Sequence, residues 1–487
     1  MSRKAVKAIA FIIIVAMVIT SFSFLMFLPT VSGASYTFAE TTAQEQRYLN
    51  TKIKEFENYL KLIHDNYKDE VDYETLMNGA FEGAMYSLGD PYSVFFIDKA
   101  EGDAFLESAT GEYEGVGVTL EKNRDGQCEI ALVAPNGPAD KAGVKKGDVI
   151  IKVDGKDVTK EALQDIGAKL KGPAGTTVVL TVKRAEAELS FTVTREKIVA
   201  VSVYYEMLEG SIGYIYLTGF DIGGAKEFRE AREALKKAGA KSLIVDVRDN
   251  PGGLLDTAFA IAEEFLDKGD VITHFQERGK ITETVRAQKG ATDKMPTVLL
   301  VNGGSGSAAE ILAGALKDNK AATLVGTATY GKGVAQIMGF TNDGYSYKLS
   351  VNYFLTPKQN EIQDVGIVPD HIVRNSLGEF REGAVDLYRM FAPFAENTKP
   401  KVGDKGLNVF AAQQRLALLG YKVELSAAMD ETTVAAVKAF QAEQGLYAYG
   451  TLDLTTMKKL EEATLAYINN DSKEDLQLKK AIDLLKK

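Results

Sequence analysis

The clearest alternation of apolar and polar positions lies in the second half of the chain, where short apolar runs are separated by glycine-rich turns. Thr297–Val301 is an apolar run typical of a buried strand, and Thr323–Gly326 predicts a second one. Between them, Asn302–Gly306 has the composition of a turn, and Ala308–Lys317 has apolar residues on one helical face. The pattern therefore places Ser307 between a strand and the N-terminus of a helix, where free backbone N–H groups can bind an oxyanion.

The rest of the chain divides into segments with different periods. Apolar residues recur at helical spacing in Thr41–Asn66, and Tyr73–Leu88 is predicted as a second helix. Glu112–Lys197 has the pattern of short strands with one or two helices, whereas strands and helices alternate in Gly210–Val373, which indicates an α/β core. Lys473–Lys487 is predicted as an amphipathic helix that packs on the body of the protein or on a partner subunit.

The N-terminus has the pattern of an export signal. A basic start, Ser2–Lys7, precedes Ala8–Leu28, which contains no charged residue and is long enough to span a bilayer. Ser32–Ala34 has the small-x-small pattern of a cleavage site. We therefore expect residues 1–34 to be a signal or membrane anchor. Either residues 8–28 anchor the protein in the cell membrane, which their length favours, or the protein is secreted after cleavage near Ala34, and in both cases the rest of the chain is extracytoplasmic.

Composition limits the function classes. With 487 residues the chain is long enough for three or four domains, and its net charge of −10 argues against nucleic-acid binding. Cys128 is the single cysteine, so no intrachain disulfide can form. His64, His274 and His371 are the only histidines, and none has the spacing of a metal site. Neither a metal nor a cofactor is predicted.

Two motifs around the predicted strands indicate a specific chemistry. Residues 304–310 have the sequence Gly-Ser-x-Ser-x-x-Glu, and residues 331–336 have the sequence Gly-Lys-Gly-x-x-Gln. Together they resemble the C-terminal processing peptidases, or tail-specific proteases, whose core is crotonase-like. The resemblance implies that Ser307 is the nucleophile, that Lys332 is its partner, and that Gln336 completes the site.

The residue chemistry agrees with this assignment. A serine hydroxyl needs an adjacent base to become a nucleophile, and Lys332 can be that base only when neutral, so its pKa must fall from about 10.4. Burial lowers the pKa of a lysine because it disfavours the charged form. The apolar residues that could bury Lys332 are Val334, Ala335 and Ile337. Gln336 would hydrogen-bond the amine, and the Ala308 N–H would be one oxyanion donor.

A second oxyanion donor is expected from another loop. Lys241–Val247 is predicted as a buried strand that continues into Arg248–Gly253. This segment resembles the Asp-x-Arg-x-Asn-Pro-Gly-Gly loop of the same family, whose glycine amides face the nucleophile. The resemblance implies that Gly252 or Gly253 completes the oxyanion hole, and the sequence does not choose between them.

A peptide-binding domain is predicted between the N-terminal helices and the core. Gly115–Val118 begins a strand, Ala134–Ala139 opens a short helix, and Lys146–Lys156 contains a glycine turn before and after a strand. These motifs resemble a PDZ domain of the bacterial protease type. PDZ domains bind a peptide C-terminus as an added strand, with its carboxylate on backbone N–H groups. The carboxylate-binding loop that the resemblance implies consists of Gly115, Val116 and Gly117.

Gly403–Ala463 resembles a small three-helix peptidoglycan-binding domain. The motifs that carry this resemblance are Gln413–Leu416, Leu419–Tyr421 and Thr432–Gln441, and the strongest part is V-A-A-V-K-A-F-Q-A-E-Q-G-L. Ala412 and Ala428-Met429 depart from the usual pattern of such domains. Glycan binding and a purely structural role are therefore both kept as hypotheses.

The predicted fold is multidomain α/β, with a crotonase-like protease core, an inserted PDZ domain, an N-terminal helical region and a small all-α C-terminal domain. Asp90–Ser93 resembles a motif that follows the N-terminal helical region in the protease family. That region often takes part in dimer contacts there, so we expect a homodimer. The predicted segments are a signal or anchor (1–34), the N-terminal helical region (41–110), the PDZ domain (112–197), the protease core (198–396), the peptidoglycan-binding-like domain (403–463) and the C-terminal amphipathic helix (473–487).

The favoured hypothesis is a serine endopeptidase that recognises substrate C-termini through its PDZ domain and cleaves exported or envelope proteins. The family resemblance also implies that the PDZ domain gates Ser307 and Lys332, so that the site assembles only with substrate present. One alternative is a catalytically silent envelope scaffold, and another is a Ser-His-Asp hydrolase that uses His274 or His371. The expected partners are protein substrates, peptidoglycan, the membrane and a second copy of the chain, and nucleic acid is not expected.

Overall fold

The computed structural model describes residues 42–123, 126–134, 136–185, 187–377, 381–395, 398–470 and 474–486. It divides into two compact units, Met1–Gly89 and Asp90–Lys487. The predicted anchor at residues 8–28 and the predicted cleavage site near Ala34 lie outside the described residues. Within the described ranges, no helix has both the length and the apolar character that crossing a membrane requires.

In its described residues, 42–89, the first unit contains the helices α1 (Ala43–Asn66) and α2 (Tyr73–Tyr86). α1 begins where the Thr42 hydroxyl accepts a hydrogen bond from the Glu45 N–H at 3.2 Å, a typical N-cap. The apolar residues of α1 recur at helical spacing, yet none of its residues is buried within the described part of the chain. The large apolar side chains that α1 exposes are Tyr48, Leu49, Ile53, Phe56, Tyr59 and Leu62.

The second unit opens with a short strand and a helix that lead into a β-rich domain. The elements in chain order are β1 (Val94–Phe95), α3 (Lys99–Thr110), β2 (Glu112–Gly115), β3 (Val118–Lys122), β4 (Cys128–Val133), α4 (Pro138–Ala142), β5 (Val149–Val153), β6 (Lys156–Asp157), α5 (Leu163–Leu170), β7 (Thr177–Arg184), β8 (Ala187–Thr194) and β9 (Glu196–Val199). One sheet has the order β3-β4-β5-β7-β8, with β6 beside β5. β2 and β9 pair antiparallel, so the chain enters and leaves this domain at one place.

The segment predicted to be the protease core is built on a mostly parallel sheet. Its strands are β10 (Val203–Leu208), β11 (Ile212–Leu217), β12 (Ser242–Asp246), β15 (Thr297–Val301), β16 (Thr323–Gly326) and β19 (His371–Ile372), and they lie in this order. The five strands β11, β12, β15, β16 and β19 are parallel to one another, and β10 is an antiparallel edge strand. Every residue of β12 and β15 is buried, which explains their continuous apolar runs.

The crossovers of this sheet bring together the loops that follow β12 and β15. The helices of the crossovers are α6 (Gly224–Lys237), α7 (Leu255–Ala262) and α8 (Ala308–Asp318). β12 and β15 are neighbours, and both run in the same direction. The loops that follow them therefore leave the same edge of the sheet, where open α/β sheets usually bind ligands. These are the loop at Arg248–Gly253 and the turn that leads to Ser307.

A second sheet carries the strand that follows Lys332. Its strands are β13 (Val271–Glu277), β14 (Lys280–Arg286), β17 (Val334–Phe340) and β18 (Ser346–Leu355), together with β1. The order is β1-β18-β13-β14, and β17 also pairs with β18. Because β1 pairs with β18, the segment Asp90–Ser93 that precedes it comes close to the start of β17.

The C-terminal part is helical, with α9 (Arg381–Arg389), α10 (Leu407–Leu418), α11 (Glu431–Glu443), α12 (Leu454–Ile468) and α13 (Leu476–Leu485). α10, α11 and α12 pack around an apolar cluster that includes Leu416, Phe440 and Leu460. α13 packs on the mostly parallel sheet, where Ala481 is buried in one cluster with Val298 of β15. The predicted multidomain α/β fold class is confirmed.

Candidate active site

Ser307 lies at the junction of β15 and α8, where the sequence predicts it. Its backbone has φ 54° and ψ −114°, a conformation that residues with a side chain rarely adopt. The Ser307 N–H donates to Glu310 Oε2 at 2.9 Å, and the preceding Gly306 N–H donates to the Asn250 carbonyl oxygen at 2.9 Å. These two bonds hold a strained backbone at the residue predicted to be the nucleophile.

The Glu310 carboxylate links the serine turn to the lysine loop. It is buried, and it accepts hydrogen bonds from the Thr329 hydroxyl and from the N–H groups of Ser307, Gly331 and Lys332. Burial raises the pKa of the Glu310 carboxyl, and these four donors act in the opposite direction. One side chain thereby fixes the backbone of Ser307 relative to that of Lys332.

Lys332 has the environment that a neutral amine needs. Its Nζ donates to Gln336 Oε1 at 2.8 Å and lies 5.2 Å from the centroid of the Tyr92 ring. The Gln336 amide nitrogen donates in turn to the Tyr92 carbonyl oxygen. Burial, assisted by the charge of Lys348, lowers the pKa of Lys332 from 10.5 to about 8. A substantial fraction of Lys332 is therefore uncharged slightly above neutral pH.

Ser307 and Lys332 share Glu310 as a backbone partner, but their side chains do not bond each other. Within the residues that the structure describes, no hydrogen bond joins Lys332 Nζ to Ser307 Oγ, and the amine donates to Gln336 instead. The direct contact between the serine and the lysine stays a prediction.

Gly252 lies against the serine turn. A Cβ on Gly252 would stand 2.8 Å from Ser307 Cβ and 3.0 Å from the Ala308 nitrogen, so only glycine allows this approach. The Gly252 N–H, however, donates to Asn250 Oδ1 at 2.9 Å. Asn250 is fully buried, and its own amide donates to the Leu217 carbonyl oxygen at 2.7 Å. The Gly252 N–H is therefore already occupied.

Two other N–H groups near Ser307 are available. In the described part of the chain, neither the Ala308 N–H nor the Gly253 N–H donates to a protein acceptor. The Gly253 nitrogen is two bonds from the Gly252 Cα, which packs against Ser307. Gly253 has φ 140°, and a Cβ there would meet the Phe220 carbonyl oxygen at 2.7 Å. The geometry can thus present two free donors beside the serine.

The loop before these glycines is anchored by Arg248. Its guanidinium bonds the Asp246 carboxylate at 2.6 Å and the Asp475 carboxylate at 2.8 Å, and it donates to Gln477 Oε1 at 3.0 Å. Asp475 and Gln477 lie at the start of α13. The last helix of the chain therefore supports the loop that carries the glycines.

The predicted carboxylate-binding residues line a cavity. Gly115, Val116 and Gly117 border a space of about 590 Å³ between β3 and α5. Its walls also include residues of α3 (Ala104, Glu107 and Ser108) and of α5 (Leu163, Gln164, Gly167 and Leu170). Glu107 forms an ion pair with Lys171, which follows α5. Most of the residues that line the cavity are uncharged, and the charged ones are Glu107, Lys171 and Asp221.

Neither candidate histidine of a Ser-His-Asp site contacts the predicted nucleophile. The ring nitrogens of His274, on β13, are engaged by Thr284 Oγ1 at 2.8 Å and the Pro357 carbonyl oxygen at 3.2 Å. His371 lies on β19 at the edge of the sheet. Across the described ranges, no hydrogen bond joins either histidine to Ser307.

Three residues that support the site, Glu310, Asn250 and Tyr92, have no role that the sequence motifs predict. Glu310 and Asn250 stand inside the quoted motifs, so their positions in those motifs were the available signal. Tyr92 stands in the Asp-Pro-Tyr-Ser segment, which pointed only to dimer contacts. Its contact with Gln336 spans 244 positions of sequence and has no local signature.

Four family models match successive parts of the chain. The model for peptidase family S41 matches residues 211–373, and a PDZ domain model matches residues 129–184. The model for the N-terminal domain of the activating protease CtpB matches residues 17–100. A model described as peptidoglycan binding matches residues 405–460.

Similar whole proteins cover nearly the same length. The carboxy-terminal processing protease CtpA of Bacillus subtilis (strain 168) is 35% identical over 440 residues, which are 90% of this chain and 91% of that protein. A CtpA-like serine protease of Staphylococcus aureus (strain COL) is 32% identical over 97% of this chain and 91% of its own. Among solved structures, the photosystem II D1 C-terminal processing protease has 28% identity and a TM-score of 0.41, and the match covers 66% of this chain and 86% of that one.

Proposed function

Because the chain belongs to peptidase family S41 and is a serine-type protease similar to the C-terminal processing proteases, we propose that Ser307 is its nucleophile, Lys332 its general base and Gln336 the residue that orients the base. The observation that carries this proposal is the buried amine of Lys332, whose pKa is lowered to about 8. A lysine with this pKa can accept a proton near neutral pH. The backbone N–H groups of Lys332 and of the strained Ser307 both donate to the Glu310 carboxylate.

In the proposed mechanism, the neutral Lys332 amine removes the proton from Ser307 Oγ as the oxygen bonds to the substrate carbonyl carbon. The resulting oxyanion accepts hydrogen bonds from the N–H groups of Ala308 and Gly253, which have no other acceptor among the residues that the structure describes. The carbon–nitrogen bond then breaks, and the Lys332 ammonium returns its proton to the leaving amine. Water attacks the acyl-serine in the same way, with Lys332 again as the base, and releases the acid and free Ser307.

The serine and lysine side chains must approach each other before the first step. We propose that Lys332 Nζ turns from Gln336 toward Ser307 Oγ when substrate is bound. α3 offers a route for this coupling because it forms one wall of the peptide cavity and also packs on β18. There, Lys348 Nζ lies 4.6 Å from the centroid of the Phe105 ring of α3. A peptide in the cavity would thus change the surroundings of a charge that lowers the pKa of Lys332.

The proposed substrates are proteins with an apolar C-terminus. A peptide end could add as a strand beside β3, with its carboxylate on the N–H groups of residues 115–117 and its side chains on the apolar cavity residues. The apolar residues that line the cavity include Val116, Val118, Leu120, Leu163 and Leu170. This composition favours apolar side chains over charged ones.

We propose that the protein works in the cell envelope. The family match at residues 405–460 supports peptidoglycan as a partner, and the apolar segment at residues 8–28 supports membrane attachment or export. The exposed apolar side chains of α1 support a homodimer, because a second copy could cover them. The proposed substrates are accordingly exported or envelope proteins.

The proposal is tested with an unfolded reporter protein that carries an apolar C-terminal tail. Ser307→Ala should abolish its cleavage, whereas Ser87→Ala, a change at an exposed serine after α2, should leave the rate unchanged. Adding charged residues to the tail should raise KM, because most of the residues that line the cavity are uncharged. Cleavage by the Ser307→Ala protein at the wild-type rate would refute the assignment of the nucleophile.

A further inference from the structure

A second lysine reaches the loop that carries Lys332, and it comes from the peptidoglycan-binding-like domain. Lys422 follows α10, and its Nζ lies 5.0 Å from the centroid of the Tyr330 ring. The same nitrogen is so close to Gly331 that a Cβ at that glycine would collide with it. Lys422 is half-buried, and burial lowers its pKa while the charges of Glu310 and Asp364 raise it.

The contacts next to Lys422 hold it in place. Arg374, which follows β19 of the protease core, bonds Glu443 of α11 at 2.6 Å and the Leu419 carbonyl oxygen at 2.7 Å. Its guanidinium lies 5.3 Å from the centroid of the Tyr421 ring, and the Tyr421 hydroxyl also bonds Glu443. A half-buried ion pair between the two domains therefore holds Tyr421, the residue next to Lys422, against the protease core.

Lys422 can balance the negative charge of Glu310. The buried Glu310 carboxylate binds the backbone of the lysine loop, and its charge raises the pKa of Lys332. A general base must lose its proton, so Lys332 cannot both neutralise Glu310 and act as the base. Lys422 contacts this loop at Gly331, whose N–H donates to Glu310 Oε1, and the charge of Glu310 raises the pKa of Lys422. It can supply the positive charge that Lys332 must give up.

We propose that Lys422 is a positioning residue of the active site, which holds the loop at Tyr330–Gly333 and balances the charge of Glu310 while Lys332 is neutral. This inference rests on the proposed function of Lys332 as the base. It makes the peptidoglycan-binding-like domain a part of the protease active site in addition to any role in glycan binding.

The test uses the full chain and the dependence of kcat on pH. In Lys422→Met the Glu310 charge is no longer balanced, so Lys332 keeps its proton to higher pH and the acid limb of the profile moves upward. A move of about one pH unit lowers kcat about tenfold at pH 7, where most of the lysine is protonated, and leaves KM nearly unchanged. Lys458→Met is the matched control, because Lys458 is an exposed lysine on α12 of the same domain. Its profile should coincide with that of the wild type.

Further arms separate the possible failures. Lys422→Arg keeps the cation and should move the acid limb back toward the wild-type position, and thermal unfolding by circular dichroism checks that each variant is folded. An acid limb of Lys422→Met that coincides with the wild type overturns the inference, even if kcat is lower. If Ser307→Ala is inactive in the same assay, such a result leaves the proposed nucleophile intact. If Ser307→Ala is active, the proposed function itself fails.

Discussion

Replacing Lys332 by Met should inactivate the protein and, at neutral pH, make it more stable. Burial lowers the pKa of Lys332 from 10.5 to about 8, so at pH 7 the native state contains a buried ammonium group. The difference between these values corresponds to about 3 kcal/mol, at about 1.4 kcal/mol for each pKa unit. Methionine removes this cost but leaves Gln336 Oε1 without its donor, which costs about 1 kcal/mol. The free energy of unfolding should therefore rise by about 2 kcal/mol.

The stabilisation should shrink as pH rises. Below about pH 8, Lys332 is protonated in both the native and the unfolded chain, and the full cost of burial is present. Between about pH 8 and 10.5 the unfolded chain binds the proton that the native state has lost. The wild-type free energy of unfolding therefore increases with pH in this window and approaches that of the variant.

The assay is urea-induced unfolding followed by far-ultraviolet circular dichroism, at pH 7 and at pH 9.5. Lys289→Met serves as the control because Lys289 is an exposed lysine of the protease core, and its stability should equal that of the wild type at both pH values. A Lys332→Met protein that is less stable than the wild type at pH 7 would refute the reasoning. An equal difference at both pH values would also refute it, because it would show that no buried charge is titrated.

Three further predictions concern activity. The kcat/KM of the wild type should rise with pH through about 8, and Lys348→Met should move that midpoint upward because the Lys348 charge lowers the pKa of Lys332; a fixed midpoint would contradict this. Asn250→Ala should lower kcat about 100-fold with little change in KM, because the loop that presents the oxyanion donors loses its buried support. Steady-state kinetics measures both constants, and an unchanged kcat would contradict this prediction. A protein with both His274→Gln and His371→Gln should keep the activity of the wild type per folded molecule, and its inactivation would favour a Ser-His-Asp mechanism.

Much of the site follows from contiguous motifs. The strand-turn-helix pattern locates Ser307 because the apolar run, the turn and the helical face are all local features. The structure places Lys332 and Gln336 in hydrogen-bond contact, because Lys332 precedes the strand and a β-bulge lies between Ala335 and Gln336. The supporting role of Glu310 could not be predicted in the same way, since its four donors come from two separate loops. Lys422 has no local signature either, because only the docking of a separate domain brings it to the loop that carries Lys332.

The sequence by itself determined the strand-turn-helix order around Ser307, the multidomain α/β class and the motifs of the serine-protease family. These follow from periodicity, turn composition and short motifs, which depend on residues near one another in the chain. The tertiary structure alone decided that Lys332 is buried enough to lose its proton near pH 8 and that Asn250 occupies the Gly252 N–H. Both depend on desolvation and on hydrogen bonds between distant segments, and a linear sequence does not state which segments will meet.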